Sequence, residues 1–170
     1  DWKGVVDNFL RIPMAHQMVG DYSVIEDEPN AEDRNFLLMR PYQIYALRAV
    51  EGATFGWDND GIAHGGFVWH TTGSGKTITS FKTALFLSTR AGLDKVVFLV
   101  DRRELDSNTS DRFKAFAKYE QITVDDTKHT YQLGKLMEAK DNGIIVTTTF
   151  KLNSLVKDRI ESGNKGLSQK

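Results

Sequence analysis

Thr71-Thr72-Gly73-Ser74-Gly75-Lys76-Thr77 is the run in this chain whose residue types and spacing describe a whole chemical task. It follows a short apolar run, Phe67-Val68-Trp69, and precedes a stretch patterned as a helix. That strand, loop and helix order is the setting of a phosphate-binding loop. Gly73 and Gly75 let the backbone curl until successive N–H groups converge on one anion. The helix starting near Thr77 adds the positive end of its dipole. Lys76 supplies a point charge for the β- and γ-phosphates of ATP. The Thr77 hydroxyl is placed to ligate Mg2+ carried by the nucleotide. Thr72, Gly73, Ser74, Gly75, Lys76 and Thr77 thus form the expected nucleotide cradle, with Lys76 and Thr77 in the catalytic roles. The strict pattern wants Gly where this chain has His70, which reads as a packing residue beside the loop.

Three further constellations could extend that chemistry. Upstream, Arg40-Pro41-Tyr42-Gln43 offers a planar amide with one donor and one acceptor, a match for the edge of adenine. Gln43, helped by Arg40, is therefore the expected base reader. Residues 97–101 (VFLVD) form an apolar run ending in an acid. Asp101 there could support Mg2+, which would make the protein a nucleotide kinase or a GTPase. Arg102 and Arg103 follow directly. Residues 144–149 (IIVTTT) run from an apolar strand into Thr147, Thr148 and Thr149. Hydroxyls at a strand's carboxyl end can bond phosphate oxygens, although β-branched Thr also simply finishes strands well.

Alternating strands and helices are needed to hold these residues in place. The pattern predicts a helix over residues 41–53, begun by Pro41, and a glycine-rich loop over 52–66. Residues 67–69 are an expected strand and 77–90 a helix. Residues 95–100 (KVVFLV) have no polar face, as in a strand covered by helices on both sides. Helices are expected over 104–119, 131–140 and 150–160, and a strand over 144–148. Pro13 breaks any long helix near the start, and residues 20–35, rich in Asp and Glu, suggest a solvated acidic connector. The implied fold class is α/β, a largely parallel sheet with helices on both faces, with the nucleotide at the carboxyl ends of the strands.

Composition excludes more than it identifies. The chain has 170 residues, 40% hydrophobic and 26% charged, and a formal net charge of -1. No global basic field announces a nucleic-acid partner, so any such contact must be local. Without Cys there are no disulfides and no Cys-based zinc site. His16, His64 and His129 lack metal-ligand spacing. The longest apolar run, residues 96–100, is far too short to span a membrane.

Taken in order and spacing, GGFVWHTTGSGKTITSFKTA, VVFLVDRRELD and GIIVTTTFKL resemble the R (motor and nuclease) subunit of type I restriction-modification enzymes. Superfamily 2 helicases, to which those motors belong, commonly relax the position held here by His70. The resemblance covers residues 40–157 well and 1–39 poorly. It places Gln43 in the adenine-reading motif of those motors. It also assigns Arg102, Arg103, Thr147, Thr148 and Thr149 to a DNA track, with Asn108 departing from the family's usual Gln. It implies a P-loop, RecA-like motor domain that uses ATP and Mg2+ to pump double-stranded DNA. The methylase and specificity subunits would be its partners, in a prokaryotic cytoplasm, with cleavage by the complete type I deoxyribonuclease. On this reading residues 1–35 connect to an upstream domain. Residues 36–170 are part of the first RecA-like domain, cut before the Asp-Glu motif. The chain alone is then expected to bind ATP without turning it over. The competing readings are the kinase or GTPase with Asp101 as metal acid, and a non-enzymatic, nucleotide-dependent docking fragment.

Overall fold

The structure, a computed structural model, describes residues 2–7, 11–26, 34–56, 64–89, 93–101, 109–120, 122–127, 129–161 and 163. In chain order its elements are α1 (Trp2–Val5), α2 (Met14–Gly20), β1 (Ser23–Glu26), β2 (Asn35–Leu38), α3 (Pro41–Phe55), α4 (Lys76–Ser88), β3 (Lys95–Val100), α5 (Thr109–Ala117), β4 (Thr123–Asp126), α6 (Thr130–Glu138), β5 (Gly143–Thr148) and α7 (Thr149–Glu161). They fall into two compact units, Asp1–Thr83 and Ala84–Lys170.

The first unit departs from expectation in its leading segment. Within the stretch read as a solvated connector, β1 pairs antiparallel with β2, Val24 opposite Leu37 and Ile25 opposite Phe36. Tyr22, Ser23 and Val24 are buried; the acidic residues 27–33 lie outside the described residues. The hairpin was hidden because its strands are short and flanked by charge, so period-2 alternation has little length to register. α3 opens as the sequence implies, with Pro41 in its first turn. Gln43 Oε1 accepts from the Arg40 N–H at 2.7 Å, satisfying a donor just ahead of the helix. The helix runs past Ala53 and stops at Gly56, whose φ of 56° suits glycine and few other residues. Arg48 Nε donates to the Tyr22 hydroxyl at 3.1 Å, tying α3 to the start of the hairpin.

Residues 67–69 do not form the expected strand. Phe67 is 90% and Trp69 88% exposed, and no described strand hydrogen-bonds to them. Apolar, β-favouring residues become a strand only when a neighbour takes up their backbone groups.

The second unit carries a parallel sheet in the order β3-β5-β4. β5 lies between its neighbours and is buried at all its positions, whereas β3, at an edge, is largely half-buried. The strand expected to be fully covered was β3; position in the sheet, more than apolar content, decides coverage. Phe98 pairs in register with Val146, so it lies on the opposite face from Ile145. The Phe98 ring packs on Phe113 of α5, centroids 4.9 Å apart. Ile145 packs with Leu133 of α6 and Leu155 of α7. Helices therefore cover both faces, as the sequence pattern implied. At ~1.5–3 kcal/mol for each large apolar side chain, the Ile145, Leu133 and Leu155 cluster is a main stabiliser of this unit.

β4 was missed, because Val124 is its only apolar residue. It is held by close approach: a Cβ on Gly143 would come within 2.7 Å of Thr123 Oγ1. It is also held by Asp126, which accepts from Lys114 of α5 at 2.7 Å. Lys95 at the start of β3 pairs with Asp141 just before β5; its ammonium holds the Asp141 carboxyl below the usual range.

Candidate functional site

The candidate phosphate loop is shaped by two glycines and clamped by its neighbours. Gly73 has φ 77° and Gly75 φ 80°, a region that costs an L-residue about 1–2 kcal/mol. At Gly75 the constraint is double, because a Cβ there would lie 2.4 Å from Gln43 Nε2. That nitrogen donates to the carbonyls of Ser74 at 3.1 Å and Gly75 at 3.3 Å. The Tyr42 hydroxyl also donates to Ser74 O, at 2.8 Å. Gly75 O accepts again from Thr79 N at 3.2 Å and from Thr79 Oγ1 at 3.1 Å. Across a trans peptide the C=O and the following N–H point in opposite directions. Tying down the carbonyls of Ser74 and Gly75 therefore turns the N–H groups of Gly75 and Lys76 the other way, open to an anion.

The remaining loop groups fit that reading. Thr71, Thr72, Gly73 and Lys76 are exposed, and a Cβ on Gly73 would meet nothing within 4 Å, so there is room for a ligand. The Lys76 ammonium and the Thr77 hydroxyl make no hydrogen bond or ion pair among the described residues. Both are free for a phosphate and its metal. α4 starts at Lys76 and runs thirteen residues, so its first N–H groups lack intrahelical acceptors and carry the helix's positive end. Among the described residues no group of three His, Cys, Asp or Glu could hold a metal ion.

Gln43 departs from its expected use. It is 4% exposed, its nitrogen is spent on the loop and its oxygen on Arg40 N. In this state the amide positions the phosphate loop, and reading adenine would require it to give up one of those bonds. Tyr42 and Thr79 were not singled out in the sequence; a hydroxyl bonded to backbone leaves no pattern. His70 was taken as packing, yet its Nδ1 lies 2.8 Å from Ser74 Oγ.

In the second unit, the hydroxyls assigned to a DNA track are unequal. Thr147 is fully buried, its Oγ1 2.8 Å from Thr127 Oγ1. Thr148 is 4% exposed and its Oγ1 accepts from Lys151 N at 3.2 Å, capping α7. Only Thr149 is exposed. Arg102 and Arg103 lie outside the described residues, as does Asn108; Asp101, directly after β3, is exposed.

Comparison with known proteins decides which loop-bearing family this is. The profile of the SWI2/SNF2 ATPase family matches residues 42–169. The chain belongs to that family. It is also 41% identical, over 152 residues and 89% of its length, to a type I restriction enzyme endonuclease subunit of Staphylococcus aureus (strain COL). A second such subunit, from Staphylococcus saprophyticus, is 38% identical over 156 residues and 92% of this chain. The chain spans about 15% of the length of these curated relatives.

Gln43→Ala tests the clamp against the base-reading role. Several hydrogen bonds of about 1 kcal/mol each are lost to the loop, so ATP and GTP should weaken together, by about tenfold or more, in equilibrium binding. If the variant loses only a preference for ATP over GTP, the amide reads adenine.

Proposed function

We propose that the chain is the ATP-binding part of the DNA-translocating motor of a type I restriction endonuclease R subunit. The observation that carries this reading is the clamped loop: carbonyls of residues 74 and 75 bonded inward, N–H groups turned out, and Lys76 and Thr77 side chains unengaged among the described residues. The SWI2/SNF2 match and the type I restriction relatives support it over a nucleotide kinase or GTPase built on Asp101. Residues 36–170 are then part of a P-loop, RecA-like domain, to which β1 is joined by its pairing with β2 and by the bond from Arg48 to Tyr22.

Bound ATP supplies the phosphoanhydride bond whose hydrolysis drives movement, and Mg2+ offsets the phosphate charge. The chain's own residues hold and orient. Gly75 and Lys76 N–H groups bind phosphate oxygens, the Lys76 ammonium stabilises charge that grows in the transition state, and the Thr77 hydroxyl ligates the metal. Gln43, bonded to the Arg40 N–H and to the loop carbonyls, fixes the loop. Arg102, Arg103 and the exposed Thr149 meet the phosphates of double-stranded DNA. Thr147 and Thr148 shape the end of β5 through their buried hydroxyls rather than touching DNA with them. The methylase and specificity subunits would complete the restriction complex in a bacterial cytoplasm. No helix among the described residues is long and apolar enough to cross a membrane.

In the full-length R subunit, DNA-stimulated ATPase measured on Lys76→Ala should fall by about a hundredfold or more, the scale of losing one group that stabilises transition-state charge. A variant that consumes ATP at the unaltered rate would refute the loop assignment. For the DNA track, Arg102→Ala and Arg103→Ala should weaken binding on all sequences alike. Each should lower the slope of log affinity against log salt by roughly one. A loss confined to one sequence would remove both residues from the phosphate contacts.

A further inference from the structure

We propose that His70 is a positioning residue of the phosphate loop, acting through the hydroxyl of Ser74. This rests on the nucleotide-binding reading above and extends it to a residue standing where the strict loop pattern has Gly.

The hydrogen-bond directions can be worked out from the atoms present. Ser74 Oγ lies 2.8 Å from Thr71 O and 2.8 Å from His70 Nδ1. A carbonyl oxygen has no hydrogen to give, so the single hydroxyl proton of Ser74 goes to Thr71 O. The bond to His70 is then donated by Nδ1–H and accepted by Ser74 Oγ. For an uncharged imidazole this fixes the proton on Nδ1, with Nε2 a bare acceptor. That nitrogen is buried and has no hydrogen-bond partner among the described residues. The Tyr42 ring lies edge-on to the imidazole, centroids 6.3 Å apart, and its hydroxyl reaches Ser74 O.

A residue that only filled space here would do better as Leu, since burying an unpaired ring nitrogen carries a desolvation cost. The cost is consistent with a use for the other end of the ring. Ser74 is gripped at both polar ends, its carbonyl by Tyr42 and Gln43 and its hydroxyl by His70 and Thr71. With the bond from Ser74 N to Thr71 O at 3.3 Å, these contacts close the turn between two glycines that have no side chains to stiffen it. His70 therefore keeps the loop in its anion-accepting curl before any nucleotide arrives. Losing that order should lower affinity for the ligand more than the rate of the chemical step.

The test uses the full-length R subunit with DNA-stimulated ATPase, and compares His70→Leu, Ser74→Ala, their double variant, His70→Asn and His70→Gln. His70→Leu and Ser74→Ala should each raise KM for ATP about threefold to tenfold, the scale of one net hydrogen bond, with kcat within about twofold. The double variant should be no worse than the poorer single, because both changes break the same contact. Asn can place a donor near the Nδ1 position and should restore KM; Gln reaches toward Nε2 and should not. An unaltered KM in both His70→Leu and Ser74→Ala overturns the proposal. So does a double variant whose effects multiply, or rescue by Gln rather than Asn. If His70→Leu does not fold, as judged by its circular dichroism and melting, Ser74→Ala and His70→Asn still decide the matter. Absence of ATP turnover in the unaltered subunit would instead defeat the motor reading itself.

Discussion

The Gln43 amide bonded to the carbonyls of Ser74 and Gly75 is the contact on which the candidate site depends. Without it the phosphate loop is a short, glycine-rich turn with several accessible conformations. With it, the peptides on either side of Gly75 are held with their oxygens inward and their N–H groups outward. The same contact explains why Gly75 is glycine twice over, by its backbone angle and by the lack of room for a Cβ beside Gln43 Nε2. It also makes the first turn of α3, begun by Pro41 and anchored by Arg40 N, a structural part of the loop.

Much of this was legible in the sequence, and the misses have physical causes. Helices α3, α4, α6 and α7 and strands β3 and β5 declare themselves by apolar periodicity and by Pro41 at a helix start. The loop declares itself by glycine spacing and Lys76. The β1–β2 hairpin and β4 were not legible, since four-residue strands carry little pattern, and β4 is placed by the missing side chain of Gly143 and the reach of Lys114. Phe67, Val68 and Trp69 show the opposite failure. They have the composition of a strand and, in the described chain, no partner to make them one. Side-chain roles were the least legible. A glutamine that binds backbone carbonyls, a histidine that donates to a serine, and threonines whose hydroxyls face inward all have the residue types expected for ligand contacts. Only geometry separates the two uses.

The two units illustrate different ways of specifying a site. In the second, apolar burial around Ile145 fixes the sheet, and polar residues such as Thr127 and Thr147 pair with each other inside it. In the first, the loop is held almost entirely by hydrogen bonds from residues of α3, by Thr79 and by His70. Such bonds contribute individually little to stability, yet they fix direction, and direction is what an anion-binding backbone requires. Membership of the SWI2/SNF2 ATPase family and likeness to type I restriction endonuclease subunits accord with a loop organised in this way.

On the proposed function, affinity for nucleotide resides in the backbone and the lysine that meet the phosphate chain. Calorimetric titration of the chain with Mg-ATP and, separately, with AMP measures this most directly. Hydrogen bonds to charged phosphate oxygens contribute about 1.5–3 kcal/mol each, so ATP should bind at least about tenfold more tightly than AMP. Equal affinity for the two would place the recognition on the nucleoside and contradict the role given to Gly75, Lys76 and Thr77.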